Sequence, residues 1–185
     1  MRPNPLTLTA SLIACGLVAG TIQAGEADAA RIKRGAQLAA FGGCVDCHTP
    51  FKLGPNGPEK DMARGLSGHP AELVLPPPPK LDGAWSWGGS GSMTAFVGPW
   101  GVSYATNLTS DRETGIGAWS EKDFIQAMRK GKHLGAGRPI MPPMPWRSVG
   151  SLPDPELRAL FAYLKAQPPV NNKVPDYVPP ATSAR

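Results

Sequence analysis

The stretch Cys44-Val45-Asp46-Cys47-His48 is a C-x-x-C-H motif, the spacing that reads as covalent attachment of a c-type haem. Two thiols separated by two residues lie within reach of one short turn and add across the two vinyl groups of the porphyrin. His48, fixed beside the second thioether, is then directed at the iron as the proximal axial ligand. With 3 Cys and 3 His in 185 residues, such a pattern arises by accident in roughly one chain in a thousand of this composition, so chance is a poor explanation. Two other chemistries use C-x-x-C: a thioredoxin-like redox pair and half of a zinc site. Zinc asks for four ligands, and the sequence has no second Cys pair to supply them.

A chain of 185 residues fits one domain, at most with a large appendage. Hydrophobic residues make up 41%, enough for a modest core, yet 22 Gly and 22 Pro bring the chain close to low-complexity composition. That combination predicts short helices embedded in long ordered loops, with a haem supplying much of the apolar mass. The balance of 19 basic and 14 acidic residues, a net charge of +5, is too mild for the dense basic patch of a nucleic-acid binder.

The N-terminus has the layout of a secretory signal peptide: Arg2, an apolar run from Leu6 to about Ala19, then small residues. The run is too short and too interrupted for a membrane span. Ala24 and Ala29 both suit the small-residue cleavage rule, and residues 1–24 are taken as the signal, which places the protein in the periplasm. The rival is Leu12-Ile13-Ala14-Cys15, which resembles a bacterial lipobox and would make the protein a membrane-anchored lipoprotein through lipidated Cys15. In either case Cys44 and Cys47 are both used by haem, with none left for a structural disulfide.

Residues 25–175 are expected to form the functional domain. Its first helix is predicted from about Ala29 to Phe41, with Ile32, Gly35, Ala36 and Ala39 at helical spacing and Leu38 and Phe41 widening the stripe. Gly35 inside that helix suggests the close approach of another backbone, and Gly42-Gly43 ends the helix before the haem motif. Thr49 to Pro58 is rich in turn residues and reads as irregular; a carbonyl within it, that of Pro55, is the expected acceptor for the second ring nitrogen of His48.

Residues 59–106 read as a long loop insertion, with polyproline II at Pro76-Pro77-Pro78-Pro79 and a flexible Gly88-Gly89-Ser90-Gly91-Ser92. Its aromatics Trp85, Trp87, Phe96 and Trp100 suggest packing over the haem edge or onto a partner subunit. His69, Met62 and Met93 lie there singly and read as bystanders to the iron.

Pattern returns with Ser120-Glu121-Lys122-Asp123, a capping box before a helix that buries Phe124, Ile125, Ala127 and Met128 and leaves through Arg129, Lys130 and Gly131. The segment Arg138-Pro139-Ile140-Met141-Pro142-Pro143-Met144-Pro145-Trp146 then offers iron a sixth ligand on a loop stiffened by proline. Spacing alone leaves Met141 and Met144 both open. A final helix is predicted from Asp154, as N-cap, to about Lys165, its face of Leu157, Leu160, Phe161 and Leu164 packing across the first helix at Gly35. Residues 176–185 read as an extended tail wrapping the domain.

Taken together, Cys44-Val45-Asp46-Cys47-His48-Thr49, Ala105-Thr106-Asn107-Leu108-Thr109, Thr114-Gly115-Ile116-Gly117-Ala118-Trp119-Ser120, Met144-Pro145-Trp146 and Leu160-Phe161-Ala162-Tyr163-Leu164 resemble the class I c-type cytochromes. The resemblance is greatest to exported monohaem cytochromes similar to the cytochrome domains that accompany membrane-bound alcohol and gluconate dehydrogenases. It implies an all-α, cytochrome c-like fold, a few short helices around one covalent haem c with long ordered loops. It also implies Met144, the Met directly before Pro and an aromatic, as the distal ligand in preference to Met141. The implied function is a periplasmic carrier of single electrons between a dehydrogenase-type donor and a respiratory acceptor, without enzyme activity of its own. Lys122, Arg129, Lys130, Lys132 and Arg147 are candidates to steer an acidic redox partner. Alternatives are haem catalysis or gas sensing at an open iron, and a fixed cytochrome subunit of a dehydrogenase complex.

Overall fold

The computed structural model describes residues 25–81 and 84–180. The proposed signal at residues 1–24, Cys15 with it, and the end of the tail at 181–185 lie outside the described residues. A first helix, α1, covers residues 25–41. Gly43 follows it in the left-handed region at φ 68°, a turn that lets α2, Cys44–His48, start at once in a new direction. Phe41, expected on the buried stripe, is instead 94% exposed at the helix end.

The expectation of an all-α fold is overturned by two antiparallel sheets. The first is a hairpin of β1, Phe51–Gly54, and β2, Gly57–Lys60, in the stretch read as irregular. The second, in the segment 59–106 read as loop, joins β3, Gly88–Gly89, β4, Ala95–Gly98, and β5, Gly101–Tyr104, in the order β3-β4-β5. The physical reason is the same in both hairpins. Gly54-Pro55-Asn56-Gly57 and Gly98-Pro99-Trp100-Gly101 are two-residue connections closed by a facing glycine pair, Gly54 opposite Gly57 and Gly98 opposite Gly101. Phe96, Val97, Val102 and Tyr104 then supply the aromatic and β-branched side chains that strands favour.

Three further α-helices follow among the described residues: α3, Glu121–Lys130, α4, Trp146–Gly150, and α5, Asp154–Lys165. The capping box at α3 is formed as expected, Ser120 accepting from the Asp123 amide while the Asp123 carboxylate accepts from the Ser120 amide. At α5 the N-cap is Pro153 rather than Asp154; the Asp154 carboxylate accepts from Arg129 at 2.7 Å instead. The core joins Ala39, Leu66, Ile116, Phe124, Met128, Leu157, Leu160, Phe161 and Leu164.

Gly35 sets the angle at which α1 meets α5. A Cβ there would intrude on the Ala159 carbonyl and the Tyr163 side chain, so only glycine allows this approach. Arg34 closes the same crossing with two bonds to the Glu156 carboxylate, at 2.8 and 2.9 Å. The chain after α5 is extended and lies back on the domain, with Val178 bridged to Val102. No helix among the described residues is long and apolar enough to cross a membrane.

Candidate haem-binding site

Cys44 and Cys47 stand three residues apart on α2, hence on one face of a single turn, and both are free thiols. Burial pushes the Cys44 thiol up to about 11, and Cys47 is raised for the same principal reason, so both are protonated at neutral pH. His48 closes the helix and is 7% exposed. Its Nδ1 lies 2.7 Å from the Thr106 carbonyl, and a carbonyl only accepts, so Nδ1 carries the proton. Desolvation lowers the His48 pKa, with the Thr106 bond opposing, so the ring is held neutral with its lone pair on Nε2.

The expected acceptor, Pro55, is therefore replaced by Thr106, 58 residues from His48. Two backbone segments hold that carbonyl beside the ring. Gly68 N donates to the His48 carbonyl, Leu108 N to the Leu66 carbonyl, both at 2.8 Å, and His69 N to the Ala105 carbonyl at 2.9 Å. Leu66 adopts φ 61° between these contacts, a left-handed backbone that a leucine accepts only under constraint. Its amide donates to the buried Thr49 hydroxyl at 3.0 Å.

Asn107 and Asn172 lock the arrangement from behind. Asn107 Nδ2 donates to the Val170 carbonyl at 2.7 Å, and its Oδ1 accepts from the Thr109 amide at 2.9 Å. Asn172 Nδ2 donates to the carbonyls of Ser67, at 2.7 Å, and His69, at 2.9 Å, while its Oδ1 accepts from Ala71 N at 2.9 Å. Sequence reasoning does not single out either side chain as a site residue. Only their fully polar character inside an ordered segment hints at buried partners.

His69 is fully buried, with Nε2 donating to the Leu73 carbonyl at 3.0 Å and Nδ1 accepting from the Thr94 hydroxyl at 2.9 Å. Both ring nitrogens are engaged, in keeping with a packing role. Met62 and Met93 are exposed, and Met128 is buried in the core. Met144 packs against the same core cluster as Cys44 and Val45, so the haem motif and the Pro-flanked methionine share one apolar body. Pro142 to Ser148, Met144 among them, line an open surface groove of about 420 Å³.

These residues fit a c-type haem. Two unpaired thiols sit on one helical turn, a neutral imidazole has its Nε2 lone pair free because Nδ1 is committed, and a thioether borders the same core. The residues expected to steer a partner, Lys122, Arg129, Lys130, Lys132 and Arg147, are all exposed. Arg129 bonds the Gly150 carbonyl and Asp154, and Arg147 lies over the Trp146 ring, 4.5 Å from its centre.

No family model matches the chain. Relatives are found among curated proteins. The chain is 35% identical over 151 residues to a subunit of the nicotinate dehydrogenase of Pseudomonas putida, covering 82% of this chain and 10% of that protein. Over 169 residues it is 32% identical to the cytochrome c subunit of the quinone alcohol dehydrogenase of Gluconobacter oxydans, covering 88% of this chain and 28% of the relative. The gluconate 2-dehydrogenase cytochrome c subunit of Pantoea cypripedii is 32% identical over 138 residues, 75% of this chain and 23% of that subunit. The chain thus spans less than a third of the length of these relatives. By sequence it is a relative of the cytochrome c subunits of dehydrogenases, matching one stretch of each.

Proposed function

We propose that this chain is an exported c-type cytochrome carrying one covalent haem, which passes single electrons from a dehydrogenase towards a respiratory acceptor. The observation that carries the reading is the His48 ring, its Nδ1 proton committed to the Thr106 carbonyl at 2.7 Å so that Nε2 is left free, beside two free thiols. Cys44 and Cys47 would hold the haem by thioethers, and His48 Nε2 and Met144 Sδ would ligate its iron. When bound, the haem supplies a one-electron ferric/ferrous couple. The thioether of Met144 favours the reduced state relative to a second imidazole. With His48 and Met144 both committed to the iron, substrate would be kept from it and little rearrangement would accompany a change of charge.

The relatives favour a cytochrome fixed within a dehydrogenase complex over a freely diffusing carrier, because the cytochromes among them are named as subunits. Co-purification with a dehydrogenase supports the fixed arrangement, and recovery as a free monomer supports the mobile one. The ligand assignment is tested by the ferric optical spectrum. The red-end band of sulfur bound to iron is expected to persist in Met141→Ala and to vanish in Met144→Ala; the reverse pattern overturns the assignment.

A further inference from the structure

The loop bearing Met144 has few means of holding itself. Pro142, Pro143 and Pro145 have no N–H to donate. The one amide among them, Met144 N, reaches the Met141 carbonyl at 3.3 Å, a long bond. Firmer bonds lie on either side: Ile140 N donates to the Gly131 carbonyl at 2.8 Å and Trp146 N to the Met144 carbonyl at 2.9 Å. An anchor at the centre of the loop has to be a donor arriving from another part of the chain and meeting a loop carbonyl.

Ser103, on β5, is such a donor. Its hydroxyl donates to the Pro142 carbonyl at 2.5 Å, two residues before Met144, and the residue is buried. The direction of that bond is fixed from behind. Trp100 Nε1 lies 3.2 Å from Ser103 Oγ, and an indole N–H only donates, so the serine proton is left for Pro142. The other carbonyl near it, that of Phe96, is at 3.5 Å, the limit of a useful bond. Trp100 is itself held in place. Its ring covers Gly98, where a Cβ would collide with it, and its carbonyl accepts from the Tyr177 hydroxyl. Val102 and Val178 exchange backbone bonds at 2.8 and 2.9 Å, tying the sheet to the tail at the same point.

We propose that Ser103 is a positioning residue for the distal ligand, holding the Met144 loop in its ligating position through the relay Trp100–Ser103–Pro142. The β3-β4-β5 sheet, in the segment that reads from sequence as an inserted loop, thereby acts on the haem site through the Met144 loop. The inference rests on the assignment of Met144 as a ligand.

The test is titration of the ferric, haem-loaded full chain with imidazole, which competes with the methionine sulfur for iron. Ser103→Ala is expected to bind imidazole about fivefold more tightly than wild type, the factor that one buried neutral hydrogen bond carries. Ser103→Thr restores the hydroxyl and is expected to restore wild-type affinity. Trp100→Phe keeps a ring on Gly98 but frees the serine proton to turn elsewhere, so it shifts affinity in the same direction as Ser103→Ala, and it carries the test if the alanine variant fails to fold. Imidazole affinity unchanged to within about twofold in a folded variant overturns the inference, even if Tm falls, since a purely structural bond moves Tm alone. A wild type that lacks the sulfur-to-iron band overturns the Met144 assignment and this inference together. A wild type that has the band, with imidazole binding insensitive to Ser103, overturns the inference only.

Discussion

The ring of His48 is oriented by a backbone carbonyl, and that choice removes a degree of freedom no side chain would remove as well. Thr106 O is fixed by the segments 66–69 and 105–108, and these are in turn fixed by Asn107 and Asn172. Arg64 and Glu72 brace the outer side of the first segment with bonds of 2.5 and 3.1 Å. The Arg64 guanidinium, chiefly by hydrogen bonding, holds the Glu72 carboxyl down to about 2. The folded state therefore keeps this carboxylate ionised at pH values where the unfolded chain already takes up a proton. The contribution is fully present above the ordinary carboxylate range and is lost as pH falls from that range to about 2. Glu72→Gln is expected to be less stable than wild type at neutral pH, with the difference shrinking through that window; urea midpoints measured against pH check it. The pair is solvent-exposed, so the effect is small. At this scale Cys44, Cys47 and His48 are legible in the sequence because their chemistry is fixed by spacing. Thr106 is not, because any residue type supplies a carbonyl and only the fold decides which one arrives.

Among the elements, helix periodicity is the most legible signal. Leu157, Leu160, Phe161 and Leu164 of α5 are buried as their spacing implies, and Ser120 caps α3 through Asp123. Gly35 marks the α1–α5 crossing for a physical reason that the structure makes concrete, since a methyl there would meet the Ala159 carbonyl. Gly35→Ala is expected to destabilise the haem-loaded protein by about 3 kcal/mol, the upper part of the range for overpacking, measured by denaturant unfolding. An unchanged midpoint would show that α1 and α5 shift apart at no cost. The strands escape a reading of the sequence because proline and glycine suggest irregular chain, whereas in Gly54-Pro55-Asn56-Gly57 and Gly98-Pro99-Trp100-Gly101 they close hairpins. The repeat of Gly-Pro-x-Gly, with β-branched or aromatic residues beside the second copy, is the signal available.

For the molecule as a whole, the two sheets and the returning tail connect regions that look independent along the chain. Tyr177 bonds Trp100, Asn172 bonds Ser67 and His69, and Ser103 bonds Pro142, so the long segment between the haem motif and α3 is integral to the domain. Exposed Lys122, Lys130 and Lys132 leave a positive field on the α3 side, suited to an acidic partner, whose attraction weakens with salt. The central claim is the proposal that His48 and Met144 would both ligate the iron of one haem, which would make this an electron-transfer unit instead of an open catalytic or sensing site. The most direct measurement is the spectrum of the reduced, haem-loaded protein before and after addition of carbon monoxide. The account predicts no change, because the Met144 thioether would hold ferrous iron, the state it favours, against carbon monoxide; formation of a carbon monoxide complex at neutral pH would contradict it.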